Sequence, residues 1–592
     1  MTAEGVLALP QFLFFCLGPG LPLLIGCTLL FHPLRAAAFR LLPLAPLPAL
    51  LVALSAPLDT GLAVPWFFMG GMIGLDEQGR IFLLFAALLW GAAALFSVGY
   101  LAADGRRHRY AGCFLAAMSG NFGLILARDF LGFYLFFSLM TFAAYGLIVH
   151  RESRAALRAG TVYLLLAVVG EVMLFAALLL LAHGSGSSSF ADIRAVDAGN
   201  LLFFLLFFGF GIKAGALPLH FWLPLAHPVA PAPASAVLSG AMIKAGLLGW
   251  LRFLPHGAAA APFWGEIFMA AGLAAVLYGI ITGLTRQDAK TVLAWSSISQ
   301  MGAMTMLVGC GLAAAGHWSA AGEAASFYAL HHGLAKGALF LGAALAAATG
   351  IGGKGKWLLR IGIWSPCLAL AGLPGTSGAI AKAELKEMLM QTPGGLAGVI
   401  DFLLPLAAAG TMVLMIHFID CCERVALRRH RIGGMERLAW VMLVAAALVL
   451  IWLLPAGMKR GGDSLATAAA AAAGLGPVLL GSGGGLLLVR LRKRHQSRAK
   501  AAGREEMTPA KGGWWERQGD RLLLAGPALA RMTEQHRRRI MSVAGRAAVC
   551  LGAAGSRGRA EKVLQRWLVA GSLVVALFFL LYWTMASGAG GG

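Results

Sequence analysis

Lys213 stands in Phe207–Leu219 (FFGFGIKAGALPL), a stretch otherwise apolar enough to lie inside a bilayer. An ammonium at that depth is costly, so it needs a partner, a wet cavity or a task. Glycines at 209, 211 and 215 and Pro218 predict a helix break beside it. Broken backbone at membrane depth is tolerated only where protein or a cavity receives it. Four more apolar stretches carry ionisable groups. Glu171 lies near the centre of Val162–Ala182, and Lys244 lies in Val237–Trp250. His331, His332 and Lys336 lie in Phe327–Leu345, and Lys382 follows a second predicted break at Gly372–Gly378 (GLPGTSG). His332 and Lys336, four residues apart, share a helix face. A single charge of this kind can be structural, by snorkelling or closing one salt bridge. Ionisable residues in five separate spans exceed what pinning a bundle needs. Groups a few residues apart and bridged by water are what proton movement requires.

The elements that must position these groups follow from composition. Hydrophobic residues make up 59% of the 592 and charged residues 12%, half the roughly 25% of soluble domains. The mean hydropathy is +0.77. This is the profile of a polytopic, all-α integral membrane protein. At about 20 apolar residues per crossing, about sixteen transmembrane helices are expected, centred near residues 18, 50, 92, 119, 140, 172, 208, 240, 274, 303, 335, 370, 409, 446, 477 and 576. The start, Met-Thr-Ala-Glu, lacks the basic region of a cleavable signal. Alternate loops are basic: Arg35 and Arg40; Arg106, Arg107 and Arg109; Arg151, Arg154 and Arg158; Arg286 and Lys290; Lys354, Lys356 and Arg360; Arg424, Arg428, Arg429 and Arg431. By the positive-inside rule these loops are cytoplasmic and both termini lie outside.

The formal charge of +22 does not point to nucleic acid, because it is concentrated in one place: residues 490–566 hold 19 Lys/Arg against 6 Asp/Glu. Trp514, Trp515 and Leu522–Leu524 interleave with Arg517, Arg521, Arg531 and Arg537–Arg539. That pattern suits a lateral stretch on anionic lipid headgroups or against partner subunits; a solvated basic loop is the plainer alternative. The eight cysteines show no zinc, iron–sulfur or haem spacing, and no dinucleotide or P-loop fingerprint occurs. No cofactor, no metal site and no catalytic residue are therefore expected in this polypeptide, and any electron transfer belongs to a neighbour. Both predicted breaks carry a lysine beside Gly/Pro about five spans apart. Paired interrupted helices point to two inverted five-helix repeats, at spans 4–8 and 9–13.

The blocks Gly211-Ile-Lys-Ala-Gly-Ala-Leu-Pro-Leu-His-Phe-Trp-Leu-Pro224, Ala226-His-Pro-Val-Ala-Pro231 and Ser235-Ala-Val-Leu-Ser-Gly-Ala-Met-Ile-Lys244 resemble the antiporter-like proton-pumping subunits of respiratory complex I. Ala294-Trp-Ser-Ser-Ile-Ser-Gln-Met-Gly302 and Lys336-Gly-Ala-Leu-Phe-Leu341 are similar to later blocks of that family. The AHPxAP form followed by SGxMIK is most similar to the membrane subunit of hydrogenase-4 and formate hydrogenlyase. The resemblance covers roughly residues 80–420, with several long blocks in order. It implies that Lys213 and Lys382 are the lysines of the broken seventh and twelfth helices. It implies likewise that Lys244 is the eighth-helix lysine, that His332 and Lys336 form the eleventh-helix face, and that a lateral helix precedes a final span. One departure stands out: the family's fifth helix holds a glutamate that pairs with the seventh-helix lysine. Here that helix reads FLGFYLFFSLMTFAAYGLIV, with Ser138 at the position. Glu171, one span later, resembles a sixth-helix acid of some members and is the candidate replacement.

The expected organisation is N-terminal transmembrane helices in 1–110, repeats in 111–251 and 263–420, further transmembrane helices in 421–489, a basic lateral segment in 490–566 and a final anchor in 567–586. The expected role is a proton-translocating subunit, set among membrane and cytoplasmic subunits of a redox-driven complex in a prokaryotic inner (plasma) membrane. Glu171, Lys213, Lys244, His331, His332, Lys336 and Lys382 would be the proton path. The competing class is a subunit of a multisubunit cation/proton antiporter or of a proton-coupled inorganic-carbon uptake complex, with no redox step. A scaffold that merely keeps the fold is a third.

Overall fold

The computed structural model describes residues 3–501, apart from 59, 65–70, 187–188, 194–198, 256–259, 352–355, 425–431 and 454–463. The span expected at 576, the anchor 567–586 and all of the basic segment beyond 501 lie outside the described residues, as do Lys354, Arg428, Arg429 and Arg431 of two basic loops.

In chain order the helices are α1 (Ala3–Thr28), α2 (Arg35–Arg40) and α3 (Leu47–Ser55), followed by an antiparallel hairpin of β1 (Thr60–Val64) and β2 (Gly71–Leu75) with Leu62 opposite Ile73. Then come α4 (Glu77–Tyr100), α5 (Arg107–Leu126), α6 (Phe130–Ile148), α7 (Arg154–Ser185), the single turn α8 (Phe190–Ile193), α9 (Asn200–Ala214), α10 (Trp222–Val229), α11 (Ala232–Val237) and α12 (Lys244–Phe253). The second half continues as α13 (Pro262–Leu284), α14 (Ala289–Ala313), α15 (Trp318–Thr349), α16 (Trp357–Ala371), α17 (Ser377–Gln391), α18 (Gly395–Arg424), α19 (Gly434–Leu453) and α20 (Ser464–Ala501).

Polar side chains start several of these helices by accepting the orphan N–H groups of the first turn. Asp76, Asp129, Ser153 and Asp288 do so for α4, α6, α7 and α14. Arg252 of α12, only 1% exposed, ties its own helix to α5 and α4. It donates to Leu124 O at 3.0 Å, Ile125 O at 2.7 Å, Ala127 O at 2.8 Å and Asp76 Oδ1 at 3.2 Å. The carbonyls at the end of α5 and the carboxylate that caps α4 thus share one guanidinium.

Among the described residues, eight helical stretches are long and apolar enough to cross a membrane, and a ninth arises if Leu13–Thr28 and His32–Arg40, bent by 115°, form one span. Each expected centre from 18 to 477 falls on helical backbone, but not always on a full span. The helix at residue 50 has 9 residues, about half of what a bilayer needs. Those at 208 and 370 stop after 15 because glycine ends them in a left-handed turn. The boundary drawn at 490 falls inside α20, which runs unbroken to Ala501.

The core is a column formed by α14, α15 and the stretch Ala232–Phe253, of which no residue faces outward. α15 packs against α4, α11, α14, α16, α17 and α19. α13 lies along α14 with glycines at the contact. A Cβ at Gly265 would stand 2.8 Å from Gly309 O, and one at Gly279 2.8 Å from Trp295 O. Small residues are what allow helix backbones to approach this closely in lipid, where no hydrophobic drive holds helices together.

Candidate functional site: a line of buried ionisable groups

Both helix breaks are built the same way. At the end of α9, Ala216 N–H donates to Gly211 O at 2.9 Å and Gly215 N–H to Ile212 O at 3.3 Å, with Gly215 at φ +70°. At the end of α16, Leu373 N–H donates to Leu368 O and Gly372 N–H to Ala369 O, both at 3.0 Å, with Gly372 at φ +92°. Each is a Schellman motif, which needs a residue without Cβ at the left-handed position. The lysines sit differently about the two breaks. Lys213 lies in the last turn before the first, whereas Lys382 lies beyond the second, on α17, and reaches back to donate to Ala371 O at 2.6 Å.

The first group of residues is Glu171 and Lys213. Both are buried, and they line one cavity with Phe137, Thr141, Tyr163 and Trp222. Its volume, open to the centre of a water molecule, is about 10 Å³, close to what one water requires. The pair forms no direct ion pair. Lys213 Nζ donates to Tyr163 OH at 2.9 Å, and the Tyr163 hydroxyl donates on to Thr141 O at 2.8 Å. Ser138 Oγ donates to Glu171 Oε2 at 2.6 Å, while Oε1 is buried and without a protein partner. Ser138, at the position where the resemblance implies a glutamate, therefore bonds the Glu171 carboxylate of α7.

The second group lies in the central column. Residues Leu238–Met242 form a π-helical turn, and Lys244 Nζ folds back onto it, donating to Ser239 O at 2.6 Å. The Ser239 and Ser297 hydroxyls are 2.7 Å apart, and Ser297 Oγ donates to Leu293 O at 2.9 Å. Lys336 Nζ donates to that same carbonyl at 3.0 Å. Lys244 and Lys336 thus approach α14 from two sides, Lys244 through the backbone of Ser239, whose hydroxyl meets Ser297, and Lys336 at the carbonyl of Leu293 that Ser297 also bonds. His332 lies within the field of both lysines, fully buried, with neither ring nitrogen bonded to protein. His331 Nδ1 is 2.7 Å from Ser377 Oγ at the start of α17, and a Cβ at Gly378 would stand 2.9 Å from its Nε2. His331 also feels the charges of Lys382 and Lys244.

The structure therefore gathers Lys244, His331, His332, Lys336 and Lys382 into one coupled set, and keeps Glu171 and Lys213 as a separate pair. Tyr163, Ser239, Ser297 and Ser377 were not singled out from the sequence. Hydroxyl residues are common in apolar helices, and nothing in their spacing marks the few that touch a lysine or histidine.

Residues 127–403 match the transmembrane family described as NADH:quinone oxidoreductase/Mrp antiporter. Hydrogenase-4 component B of Escherichia coli is 33% identical over 295 residues, 48% of this chain and 44% of that protein. Na(+)/H(+) antiporter subunit A1 of Staphylococcus aureus is 30% identical over 294 residues, 47% of this chain and 36% of that one. The chain spans about half, or less, of the length of these curated relatives. Among solved structures, a chain of the Mrp complex from a Dietzia species superposes with a TM-score of 0.67 at 23% identity, covering 95% of this chain and 66% of that one. A chain of the membrane-bound sulfane sulfur reductase, an archaeal respiratory complex, superposes with a TM-score of 0.62 at 19% identity, covering 80% of this chain and 98% of that one. These likenesses carry the fold, and the family match carries the blocks around Lys213, Lys244, Lys336 and Lys382. The chain is an antiporter-like, multi-pass membrane protein, and its segment 127–403 is similar to the NADH:quinone oxidoreductase/Mrp antiporter transmembrane family.

Proposed function

We propose that this chain is a proton-translocating membrane subunit of a multisubunit, redox-driven complex of the energy-converting hydrogenase or formate hydrogenlyase kind. The observation that carries the reading is the buried cluster in which Lys244 bonds Ser239 O and Lys336 bonds Leu293 O, with the Ser239 and Ser297 hydroxyls between them, beside the stretch Ala232–Phe253 that has no outward-facing residue. Buried ammonium groups joined by hydroxyls and carbonyls, with unsatisfied imidazoles beside them, are suited to receive and release protons. Glu171 and Lys213 would exchange a proton through one water in the first half. Lys382 would open or close the far end at its helix break. Redox events in cytoplasmic partners would set these protonation states through neighbouring charges.

The finer organisation belongs to the same proposal. It comprises about sixteen spans, inverted repeats in 111–251 and 263–420, a prokaryotic plasma membrane with both termini outside, a basic segment 490–566 on anionic lipid and partner subunits, and an anchor at 567–586. The relative named hydrogenase-4 component B supports the redox class. The relative named as a Na(+)/H(+) antiporter subunit supports a second reading, cation/proton exchange with no redox step.

Purification of the intact complex through a tag on this chain, followed by nickel and iron determination, separates the two. Nickel with iron–sulfur protein supports the first reading, and small antiporter subunits without nickel overturn it. Within the complex, Lys382→Ala is expected to abolish coupled proton translocation at unchanged yield; normal translocation by that variant refutes the role of Lys382.

A further inference from the structure

His227 lies on α10, between the break after Lys213 and the central column, and is fully buried. Neither of its ring nitrogens has a protein hydrogen-bond partner. Its ring stacks on Phe340 with centroids 4.6 Å apart, and Phe340 is one helical turn beyond Lys336 on α15. The charges that act on the ring are those of Lys290, Lys336 and Lys244. Lys290, half-buried at the start of α14, donates to Ala230 O at 2.5 Å, three residues along the chain from His227. Buried polar atoms without protein partners call for water. An imidazole with two such nitrogens can take up a proton at one and release one from the other.

We propose that His227 is a proton relay joining the loop surface at Lys290 to the buried Lys244–Lys336 pair. The proposal rests on the proton-translocating reading above. In each passage a hydronium on the Lys290 side gives its proton to the nitrogen carrying the lone pair, forming one N–H bond. The opposite N–H bond then breaks, and its proton passes through water to the free amine of Lys244. The ring ends neutral as the other tautomer. A half-turn about Cβ–Cγ restores the first tautomer, and no protein hydrogen bond holds the ring against it. With Lys244 neutral, the charges of Lys290 and Lys336, with no anion among the groups acting on the ring, favour passing the proton on.

The test uses membrane vesicles containing the whole complex. They are energised with formate, or with an imposed sodium gradient if the purified complex lacks nickel, and proton movement is followed with a pH-sensitive dye. His227→Phe keeps a ring to stack on Phe340 but cannot exchange protons; His227→Gln keeps hydrogen bonding to water but not transfer. Both are expected to lower the rate by at least about ten-fold at wild-type yield, and His227→Gln to show a larger solvent deuterium isotope effect than wild type. Lys336→Ala serves as reference. A His227→Phe complex working at the wild-type rate while Lys336→Ala is inactive overturns the relay and leaves the functional reading standing. A Lys336→Ala complex at the wild-type rate overturns that reading as well. If neither His227 variant assembles, the residue is a packing element and the proposal fails.

Discussion

Tyr163→Phe isolates the hydrogen bond that Lys213 makes to protein. The phenol accepts the only hydrogen bond that Lys213 Nζ donates among the described residues, at 2.9 Å. The variant keeps the ring, so the edge contact with Trp222 (centroids 5.0 Å apart) and the position of the ammonium 5.4 Å from the Tyr163 ring centroid survive. What is lost is one hydrogen bond to a charged group, worth about 1.5–3 kcal/mol. A loss of that size is worth about 10- to 150-fold in an equilibrium constant. The variant also frees Thr141 O, which costs about 1 kcal/mol in stability and is read separately as the thermal midpoint of the purified complex. The assay is the initial rate of proton translocation in vesicles, expected to fall by about ten-fold or more. A Tyr163→Phe complex with the wild-type rate and the wild-type pH profile refutes the assignment of Tyr163 as the acceptor that sets the state of Lys213.

Three further outcomes follow from the scaffold. Arg252→Ala leaves three carbonyls and Asp76 without their shared guanidinium and is expected to cost about 3–5 kcal/mol, seen as a lower yield of assembled complex and a lower thermal midpoint in detergent. Gly272→Leu places a side chain where a Cβ alone would stand 2.9 Å from Met306 N; it should force α13 and α14 apart and destabilise by about 1–3 kcal/mol or more, again read as a fall in thermal midpoint. Outside the spans, burial pushes the His150 imidazole below its usual range, against the opposing pull of Asp104 Oδ2 at 3.0 Å. The unfolded chain then binds this proton more readily than the folded one, so stability should fall as pH drops through about 6.5; His150→Gln should remove that component from the pH dependence of the thermal midpoint.

Much of the site could be read from the residues because local chemistry encodes it. Gly215 and Gly372 announce the two helix ends, since only glycine takes the left-handed position without strain. The i,i+4 pair His332 and Lys336 needs only helical periodicity to be placed on one face. The π-helical turn at Leu238–Met242 could not be read, because LSGAM has no composition that distinguishes it from an α-helical turn. The contact of Ser138 with Glu171 depends on how α6 lies against α7, which tertiary packing decides. The helix at residue 50 misled for a related reason. Its apolar run was long enough, but Pro43, Pro46 and Pro48 confine regular helix to Leu47–Ser55.

The two groups of residues hold charge by different means, and the difference bears on how coupling between them can work. Lys213 faces a carboxylate across a cavity of one water's size, so loss of its proton also strands an anion unless Glu171 changes state with it. Lys244, Lys336 and Lys382 each place their ammonium on a backbone carbonyl: Ser239 O in the π-helical turn, Leu293 O on α14, and Ala371 O at the end of a broken helix. A carbonyl dipole favours an ammonium without binding it as an ion pair would, and it needs no compensating proton when the lysine becomes neutral. Between Lys244 and Lys336 the interaction is repulsion of like charges. In the proposed mechanism a proton arriving at one of these lysines therefore favours departure from the other. That push needs no carboxylate in the central column; the carboxylate is needed only at the Glu171 end, where Ser138 and Tyr163 hold the two opposite charges apart.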